Sequence, residues 1–399
     1  MTEADVIIVG AGPAGLSAAT ELRRQGIGRV VVIDREAEAG GIPRHCGHSP
    51  YGLREFRRLM TGPTYARRLV ETARQAGAEI LTGWTVTALQ PGGRLLVTSD
   101  AGPSEMRARA VLLAMGARET PRAARLIGGT KPGGILNTGA LQGLAYLERK
   151  RPFARPLILG SELVAFSALL TARHVGARPA GLVEPGPRTV ARWPAAWLPR
   201  LMGVPLWFGT DLVAIEGRER VTGAVLSRGG RDWRVDCDGV VVTGGFRPEN
   251  ALLAVSHLAR DAGSGGPVID GFGRCSDPAY FAAGNVLRAV ETAGWCWAEG
   301  RAVAGAIALA LRGELPDVRR DVVVVGDVLK YAVPQRPVAD GCHGVIQLRV
   351  ARPVRGRLRM LVDGAEVASR AMVARPERRI TLPMPPAGAR TEIRFEEDG

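Results

Sequence analysis

The chain has 399 residues, of which 46% are hydrophobic and 23% charged, and its formal net charge is +14. This composition is typical of a globular protein with a substantial core, and it argues against a disordered or fibrous chain. Only three of the 53 basic residues are lysines, and the arginines are spread along the chain, so the charge does not indicate a nucleic-acid-binding protein. No apolar run reaches the ~20 residues of a membrane span and no signal-peptide pattern opens the sequence, so we expect a cytoplasmic protein without a membrane span.

The first predicted elements form a strand–loop–helix–strand unit with the glycine spacing of a dinucleotide-binding site. They are a buried strand over residues 5–9, a helix over residues 16–25 and a strand over residues 30–33. In the loop before the helix, Gly10 permits a tight turn, Gly12 leaves room for a pyrophosphate, and Gly15 lets helix and strand pack closely. Asp34 follows at about the 20-residue distance expected of the carboxylate that binds a ribose. This order of elements and residues predicts that the chain binds a dinucleotide.

The stretch after Asp34 brings several chemically reactive side chains together. His45 and His48 are candidate general bases, because histidine titrates near neutral pH. Cys46 lies between them and is a candidate redox thiolate. Arg44 is a candidate for holding a phosphate or the negative edge of a cofactor. The alternative stays open that the thiol only packs and that the histidines only hydrogen-bond the backbone.

Three later segments decide which dinucleotide is bound. Residues 110–116 form a buried strand ended by a glycine, and residues 280–285 form another that ends at Gly284 and Asn285. Both resemble strands of flavoproteins with two dinucleotide folds. In those flavoproteins the glycine that ends the later of the two strands is followed by an acid that binds the ribityl chain. Asn285 replaces that acid here, and its amide can still hydrogen-bond a hydroxyl. A helix over residues 295–311 follows, and its N-terminal amides could stabilise negative charge on a flavin, so we predict FAD.

A second strand–loop–helix–strand unit lacks the residues that hold a pyrophosphate. Its predicted elements are a strand over residues 156–159, a helix over residues 163–174 and a strand over residues 180–183. Glu162 stands at the second glycine position and Ala165 at the third, and a carboxylate there would repel a diphosphate. Glu184, at the ribose position, is then without a ligand. We therefore expect an NAD-type fold that does not bind NAD(P), so that electrons are exchanged through a substrate, a quinone or a partner's cofactor.

The segment after about residue 316 has the alternating pattern of short strands. They are predicted over residues 321–325, 345–350, 358–362, 379–382 and 392–395, with a hairpin turn at Asp363 and Gly364. Such a β unit could dock a partner, or it could pack as a lid on the FAD-binding domain. The five cysteines are widely spaced, so no metal site, iron–sulfur cluster or paired disulfide is predicted.

The runs of residues 40–46 and 59–66, with the first glycine loop and Ala283-Gly284-Asn285, resemble one branch of the pyridine nucleotide-disulfide oxidoreductase superfamily. That branch includes FAD-binding subunits of heteromeric dehydrogenases, such as opine oxidase, hydroxyproline dehydrogenase, dye-linked proline dehydrogenase and hydrogen cyanide synthase. The resemblance covers residues 1 to about 315. It implies that the partner is a second flavoprotein dehydrogenase subunit. A separate small [2Fe–2S] protein would be a further partner, because the cysteine-rich segment of some relatives has no counterpart here.

The predicted fold class is α/β, with two nested Rossmann-like dinucleotide-binding domains in a glutathione reductase-like arrangement and a small C-terminal β-rich domain. The predicted domains are residues 1–120 with 265–315 for FAD, residues 121–264 for the degenerate NAD(P)-type fold, and residues 316–399 for the β-rich domain. The predicted FAD contacts are Gly10, Gly12, Pro13, Ala14, Gly15, Asp34, Arg35, Gly41, Arg44, Val86, Ala114, Gly116, Gly284, Asn285 and Thr292. The predicted catalytic residues are His45, Cys46 and His48, and no metal ligand is predicted.

The predicted function is that of an FAD-dependent oxidoreductase subunit. It would belong to a heteromeric dehydrogenase for an amino or hydroxy acid, such as a proline-, hydroxyproline-, opine- or glycerol-3-phosphate-like substrate, with an acceptor other than NAD. One alternative is a stand-alone NAD(P)H-dependent reductase that uses Cys46 as a single redox thiol. Another is a non-catalytic scaffold subunit whose flavin only relays electrons.

Overall fold

The computed structural model describes residues 2–317, 322–338, 340–386 and 390–398. Its first sheet has seven strands, which are parallel except at the edge formed by Arg94–Ser99 and Thr85–Gln90. In spatial order its strands are Glu79–Thr82, Val30–Asp34, Thr2–Val9, Gly102–Leu113, Arg94–Ser99 and Thr85–Gln90, and Tyr280–Ala282 also pairs with Gly102–Leu113. The strand Thr2–Val9 runs parallel to both of its neighbours. Its apolar side chains are buried on both faces, Ile7 in one core cluster and Ile8 in another, as is usual for a central parallel strand.

Helices on one face of this sheet position the first glycine loop. The main helices are Pro13–Arg24, Gly62–Gln75 and Ala293–Arg312. The first and last of these pack backbone to backbone, because a Cβ at Gly300 would lie 2.1 Å from the carbonyl oxygen of Ala14. The Ser17 hydroxyl also donates a 2.8 Å hydrogen bond to the carbonyl oxygen of Trp297. Two segments that are about 280 residues apart in the chain are thereby fixed to each other.

The second parallel sheet repeats the design of the first. Its five strands, in spatial order, are Leu206–Phe208, Gly181–Glu184, Pro156–Leu159, Gly239–Val242 and Ile135–Asn137. The helix Leu163–His174 follows its central strand. A four-stranded sheet packs beside it, formed by Arg231–Asp236, Val221–Arg228, Asp211–Gly217 and Gly128–Gly129. The short antiparallel pair Ala117–Arg118 and Arg247–Pro248 joins the outgoing and returning chain, so the second unit is inserted into the first.

The C-terminal unit consists of two sheets around a shared core. One contains Val322–Val325, Thr391–Glu397, Val354–Val362 and Ala365–Ala374, and the other contains Leu329–Val333, Val345–Val350 and Ile380–Pro383. Leu348, Leu358 and Ile393 are fully buried between them. The predicted turn at Asp363 and Gly364 joins two strands of the first sheet as expected.

Shorter helical segments connect these elements. They are Ile42–His45, Leu53–Phe56, Arg122–Arg125, Thr138–Gln142, Gly143–Leu147, Ala195–Trp197, Leu198–Leu201, Ala251–Ala254 and Gly284–Val286. Within the described ranges, none of the helices combines the length and the apolar composition that crossing a bilayer requires.

The predicted fold class is confirmed, and the differences concern element limits and several strands that the sequence analysis did not predict. The helices predicted from residues 16 and 295 begin at Pro13 and Ala293, and proline is well suited to a first helical position. The strand Ala365–Ala374 was not predicted, because much of it is exposed and shows no apolar alternation. Asp321, the first residue of a predicted strand, lies outside the described residues. The predicted domain limits stay a prediction.

Candidate functional site

The first glycine loop, residues 10–15, forms a cradle that side chains do not fill. Gly10 has φ +109°, and a Cβ there would lie 2.5 Å from the carbonyl oxygen of Ala114. A Cβ at Gly15 would lie 2.0 Å from the carbonyl oxygen of Gly10, so loop and helix touch directly. At Gly12, by contrast, a Cβ would have no atom within 4 Å. The loop therefore holds its shape through Gly10 and Gly15 and presents open space at Gly12.

The helix Pro13–Arg24 points an uncapped N-terminus at this cradle. Gly12 is its N-cap residue, no side chain caps it, and its first turn contains no acid. Free amides and the positive end of the helix dipole attract an anion such as a pyrophosphate. Asp34 lies beside the loop, where its carboxylate accepts hydrogen bonds from the amides of Ala11 at 2.7 Å and Glu36 at 2.9 Å. The loop and the acid together suit the diphosphate and ribose of a dinucleotide.

Two further predicted glycines converge on the same loop. A Cβ at Gly41 would lie 2.8 Å from the Cα atom of Gly12, and a Cβ at Gly284 would lie 2.9 Å from the Cβ atom of Ala14. Gly41 reaches the loop from the segment after Asp34, and Gly284 reaches it from the C-terminal strand. The open cradle, the uncapped helix and these close approaches fit FAD.

The remaining predicted contacts lie farther from the cradle. Arg35 is largely exposed and pairs with Glu249 at 3.7 Å. Arg44 is mostly buried; it donates to the carbonyl oxygen of Glu38 at 2.7 Å, and its Nε atom has no partner among the described residues. Val86 packs in the core under the sheet.

Gly116 follows the strand Gly102–Leu113 at the same edge of the sheet. It has φ +75°, and a Cβ there would have no atom within 4 Å. This position is open, as Gly12 is, and it leaves the adjoining backbone free to approach a ligand.

The C-terminal part of the predicted FAD site is the Gly284 loop, which we define as residues 284–292. Asn285 closes this loop on itself, because its Oδ1 accepts from the Glu291 amide at 2.7 Å and its Nδ2 donates to the Glu291 carbonyl oxygen at 3.1 Å. Its second amide hydrogen and second lone pair remain for another group. Thr292 is the N-cap residue of the helix Ala293–Arg312, with no side-chain hydrogen bond at that cap. The loop therefore presents a second uncapped helix N-terminus.

The second glycine loop, residues 160–165, has the same backbone start but a filled cradle. Gly160 has φ +114°, close to the +109° of Gly10. The Glu162 carboxylate covers it: a Cβ at Gly160 would lie 2.4 Å from Glu162 Oε2, and one at Gly244 would lie 1.6 Å from Glu162 Oε1. Burial, with the charge of Glu184, raises the pKa of Glu162, and hydrogen bonds from the amides of Glu162 and Ser161 oppose that rise.

Two more carboxylates take the other amides around the second loop. Glu184 accepts from the hydroxyl of Ser161 and from the amide of Gly186 at 2.8 Å. Glu119 is buried and accepts from the amides of Gly139 at 2.9 Å and Gly244 at 3.0 Å. Sequence analysis did not identify Glu119, because it lies far from the glycine motif in the chain. Glu119 and Glu184 thus engage donors next to the second loop, while the Glu162 carboxylate fills the space over it.

A thiol–imidazole cluster lies where the first and second units meet. Cys46 Sγ is 3.0 Å from His48 Nε2, which is 2.6 Å from the hydroxyl of Ser167 on the helix Leu163–His174. Gln142 donates to Ser167 Oγ at 2.6 Å and to Cys46 Sγ at 3.4 Å. The structure therefore brings together two of the three predicted catalytic residues. It adds Ser167 and Gln142, which no local motif marks.

The environment favours the charged forms of Cys46 and His48. Burial raises the pKa of the Cys46 thiol, but hydrogen bonds with His48, Tyr51 and Ser167 and the charge of His48 outweigh it, so this pKa lies below its ordinary value. The hydrogen bond with Cys46 raises the pKa of His48, against the effect of burial. Burial and the Cys46 charge raise the pKa of Tyr51, which keeps its phenol protonated. The cluster therefore favours a thiolate–imidazolium pair, with the phenol of Tyr51 and the hydroxyl of Ser167 around it.

His45 differs from His48 in charge and in its contacts. Burial and the charge of Arg44 lower the pKa of His45, so its imidazole is neutral at neutral pH. Its buried Nδ1 has no hydrogen-bond partner among the described residues. A neutral imidazole with a free nitrogen can accept a proton, whereas His48 is already engaged by Cys46 and Ser167.

Comparison with known proteins gives the same picture of the fold. The sequence profile of the pyridine nucleotide-disulphide oxidoreductases matches residues 4–300. One of the subunits of the opine oxidase of Rhizobium meliloti is 29% identical over 182 residues, which are 45% of this chain and 38% of that protein. The ferredoxin–NAD(+) reductase component of the biphenyl dioxygenase system of Paraburkholderia xenovorans is 29% identical over 298 residues, which are 70% of this chain and 67% of that protein.

Among solved structures, thioredoxin reductase of T. acidophilum is similar in fold. It superposes with a TM-score of 0.64 at 21% identity, over 77% of this chain and 98% of that one. The profile match spans both nested units and ends at residue 300, so the C-terminal β unit lies outside it. The chain belongs to the pyridine nucleotide-disulphide oxidoreductase family and is an FAD-dependent oxidoreductase.

Proposed function

We propose that this chain is the FAD-binding subunit of a heteromeric dehydrogenase that oxidises an amino or hydroxy acid and delivers the electrons to an acceptor other than NAD(P). The observation that carries this proposal is the Glu162 carboxylate, which fills the space over Gly160 and Gly244. A pyrophosphate placed there would displace a buried acid and face three carboxylates. The chain therefore keeps one dinucleotide site and has lost the other.

The FAD site is proposed to use the predicted residues in two groups. Gly12 and the helix N-terminus after it would hold the pyrophosphate, and Asp34 the ribose. Asn285 would bind the ribityl chain, and the amides after Thr292 would face the flavin ring. When bound, FAD supplies a two-electron acceptor for the hydride of the substrate.

Proton handling is assigned to the residues that follow Gly41. His45, neutral and with a free Nδ1, is the proposed general base for the amino or hydroxyl proton of the substrate. The Cys46–His48 pair would place a fixed dipole and a thiolate beside this base. Arg44 would hold a negative group of cofactor or substrate through its unpartnered Nε.

The partner assignment rests on the relatives. The matching opine oxidase protein is, by its name, one of the subunits of an oxidase. A second flavoprotein dehydrogenase subunit is accordingly the proposed partner, with a small [2Fe–2S] protein as the proposed electron carrier. Proline-, hydroxyproline-, opine- or glycerol-3-phosphate-like compounds are the proposed substrate class.

Purification of the tagged chain from its own host, followed by cofactor analysis, tests this proposal. We expect equimolar FAD, a stoichiometric second subunit, and reduction of an artificial dye with one of L-proline, hydroxyproline, an opine or glycerol 3-phosphate. A chain that purifies alone and oxidises NADH would contradict the proposal. Substrate turnover by the isolated chain would instead exclude a role limited to relaying electrons.

A stand-alone reductase is the second candidate, and the 3.0 Å contact between Cys46 and His48 favours it. The biphenyl dioxygenase reductase component, by its name a ferredoxin–NAD(+) reductase, also matches a large share of this chain. In this alternative NAD(P)H reduces the flavin, and Cys46 serves as a single redox thiol. A Cys46→Ser variant that keeps full activity with NAD(P)H would exclude the thiol from the reaction.

A further inference from the structure

The Gly284 loop and the start of the helix Ala293–Arg312 are held by side chains of the C-terminal β unit. Four of these side chains make the contacts: His343, Gln347, Arg349 and Arg379. All four lie beyond residue 300, where the family profile ends. They reach the predicted FAD contacts through three residues of the first unit, Arg288, Glu291 and Glu299.

The first route runs from Gly284 through Glu299. The Gly284 amide donates to Glu299 Oε2 at 2.7 Å, and the other carboxylate oxygen contacts Arg288 at 2.8 Å and His343 Nδ1 at 3.4 Å. Arg288 is 3% exposed, and its Nε donates to Gln347 Oε1 at 2.8 Å. The Gly284 backbone is thus linked to His343 through the Glu299 carboxylate. It is linked to Gln347 through Glu299 and Arg288.

Electrostatic interactions keep the two charged residues of the first route, Glu299 and Arg288, in their ionised forms. Burial raises the pKa of Glu299, but the charge of Arg288 and the hydrogen bond from His343 outweigh it and hold that pKa at about 2. The Glu299 charge in turn raises the pKa of Arg288 against the effect of burial. Removing one partner of such a buried ion pair strongly destabilises the structure, because the other charge is left buried and unpaired.

The second route runs from Asn285 through Glu291. The Asn285 amide binds the Glu291 backbone at both its N–H and its carbonyl. The Glu291 carboxylate contacts Arg379 at 3.3 Å and Arg349 at 3.7 Å, and Arg349 also donates to the Val290 carbonyl oxygen at 3.2 Å. Glu291 is therefore held at its backbone by Asn285 and at its carboxylate by Arg349 and Arg379 of the β unit.

Trp295 adds a third contact in the first turn of the helix. Its indole lies between two guanidinium groups, Arg379 at 4.2 Å and Arg54 at 4.0 Å from the ring centroid. Such cation–π contacts fix the ring and the turn that carries it. Arg379 therefore acts on Glu291 and on Trp295, one on either side of Thr292.

We propose that the C-terminal β unit is a positioning element of the FAD site, with Arg349 and Arg379 as its positioning residues. Through Glu291 and Trp295 they set the Gly284 loop and the helix N-terminus at Thr292 in the geometry that faces the flavin. This inference rests on the proposed placement of FAD at Gly284, Asn285 and Thr292. It assigns the β unit to the chain's own cofactor site, as the lid rather than as a docking surface.

The test compares the Arg349→Gln/Arg379→Gln double variant with an Arg352→Gln control. Arg352 lies in the same β unit but pairs with the partly exposed Glu397. We expect the double variant to raise the FAD Kd about tenfold, measured by fluorescence during reconstitution of the apoprotein. Its flavin midpoint potential should shift to a lower value, because Glu291 loses its neutralising charges. The control should match the wild type in both measurements.

A Glu291→Gln variant provides a check that leaves the β unit untouched. It removes a negative charge near the flavin, so its midpoint potential should shift upward, opposite to the double variant. A merely structural role would not produce shifts of opposite sign. An FAD Kd within twofold of wild type and an unchanged potential in the folded double variant, or shifts of the same sign in the two variants, would overturn the inference. A wild-type chain that binds no FAD would instead refute the proposed site, and flavin reduction by NADH would refute only the dehydrogenase assignment.

Discussion

In the first unit the residue at the pyrophosphate position, Gly12, faces open space, whereas in the second the matching residue is Glu162, whose carboxylate covers Gly160 and Gly244. The surrounding architecture is nearly the same. Both loops follow a buried parallel strand, and both lead into a helix of 12 residues. The N-cap residues adopt similar angles, with φ −84° at Gly12 and −77° at Glu162.

The two loops therefore differ in their side chains and not in their fold, and a shared fold does not by itself determine nucleotide binding. Neither helix N-terminus has a side-chain cap, and an acid, Asp34 or Glu184, lies beside each loop. In the second unit the Glu162 carboxylate fills the cradle, Glu119 accepts from the amide of the adjacent Gly244, and Ala165 carries the Cβ for which Gly15 has no room. The helix that follows the second loop carries Ser167, whose hydroxyl is 2.6 Å from His48 Nε2 in the Cys46 cluster.

The largest expected effect comes from copying the second loop into the first with Gly12→Glu. The first cradle has space for a Cβ at Gly12, so the protein should fold, but the carboxylate would lie where we propose that the pyrophosphate binds. Like-charge contacts cost several kcal/mol, so we expect the FAD Kd to rise at least about 100-fold. Flavin absorbance of the purified protein measures this, with Gly12→Ala as the matched control. Stoichiometric FAD in the glutamate variant would mean that the two loops are not functionally distinct.

The next largest effect is expected for the Cys46–His48 pair, which lies where the two units meet. In His48→Gln the thiolate of Cys46 loses its imidazolium partner, while burial still raises the pKa of the thiol. The thiolate form should therefore appear only at higher pH, and if the pKa rises by about one unit, the thiolate fraction falls about tenfold at pH values well below the pKa. Thiolate absorbance near 240 nm, taken as the difference from Cys46→Ser, records this titration. An unchanged titration curve would show that His48 does not control Cys46.

A smaller effect, a gain in NADH binding, is expected when the second loop is opened. Glu162→Gly removes the carboxylate from the cradle, but Glu184 and Glu119 still occupy neighbouring amides. We expect weak NADH binding, improved a few-fold over wild type and detectable by calorimetry. Glu162→Gln, which keeps the side-chain volume, is the control and should gain less. Equal binding by both variants would show that charge alone, and not space, closes the cradle.

The smallest effect is on stability. Burial raises the pKa of Glu162, so the ionised carboxylate is disfavoured in the folded protein, which loses stability as the pH rises through that raised pKa. Glu162→Gln cannot ionise, so it should unfold roughly 2 °C above wild type at pH 8 and show no gain at pH 4. Thermal unfolding at the two pH values tests this. A gain that is equal at both would indicate packing rather than charge.

Much of the fold could be predicted from local sequence patterns. Runs such as residues 6–9 and 30–33 are apolar on both faces, and the glycine spacing in each loop is a local signal. The same patterns identified Glu162 as the residue that differs between the loops. They also identified Asp34 and Gly284, because these follow strands at the edge where parallel strands end.

The rest of the site depends on contacts between distant parts of the chain. Ser167 and Gln142 meet Cys46 only after the two units pack together, and neither lies in a recognisable motif. Glu119 belongs to the connection between the units, and Arg379 to a β unit outside the family profile. Sequence spacing carries no information on such contacts, so these residues could not be predicted.

The account depends most on the loss of nucleotide binding in the second unit. Rapid anaerobic mixing of the FAD-loaded protein with 1 mM NADH or NADPH, followed at 450 nm, measures it most directly, with dithionite as the positive control. We predict that dithionite bleaches the flavin at once and that neither nicotinamide nucleotide bleaches it over several minutes. Bleaching by NADH or NADPH within seconds would contradict the account.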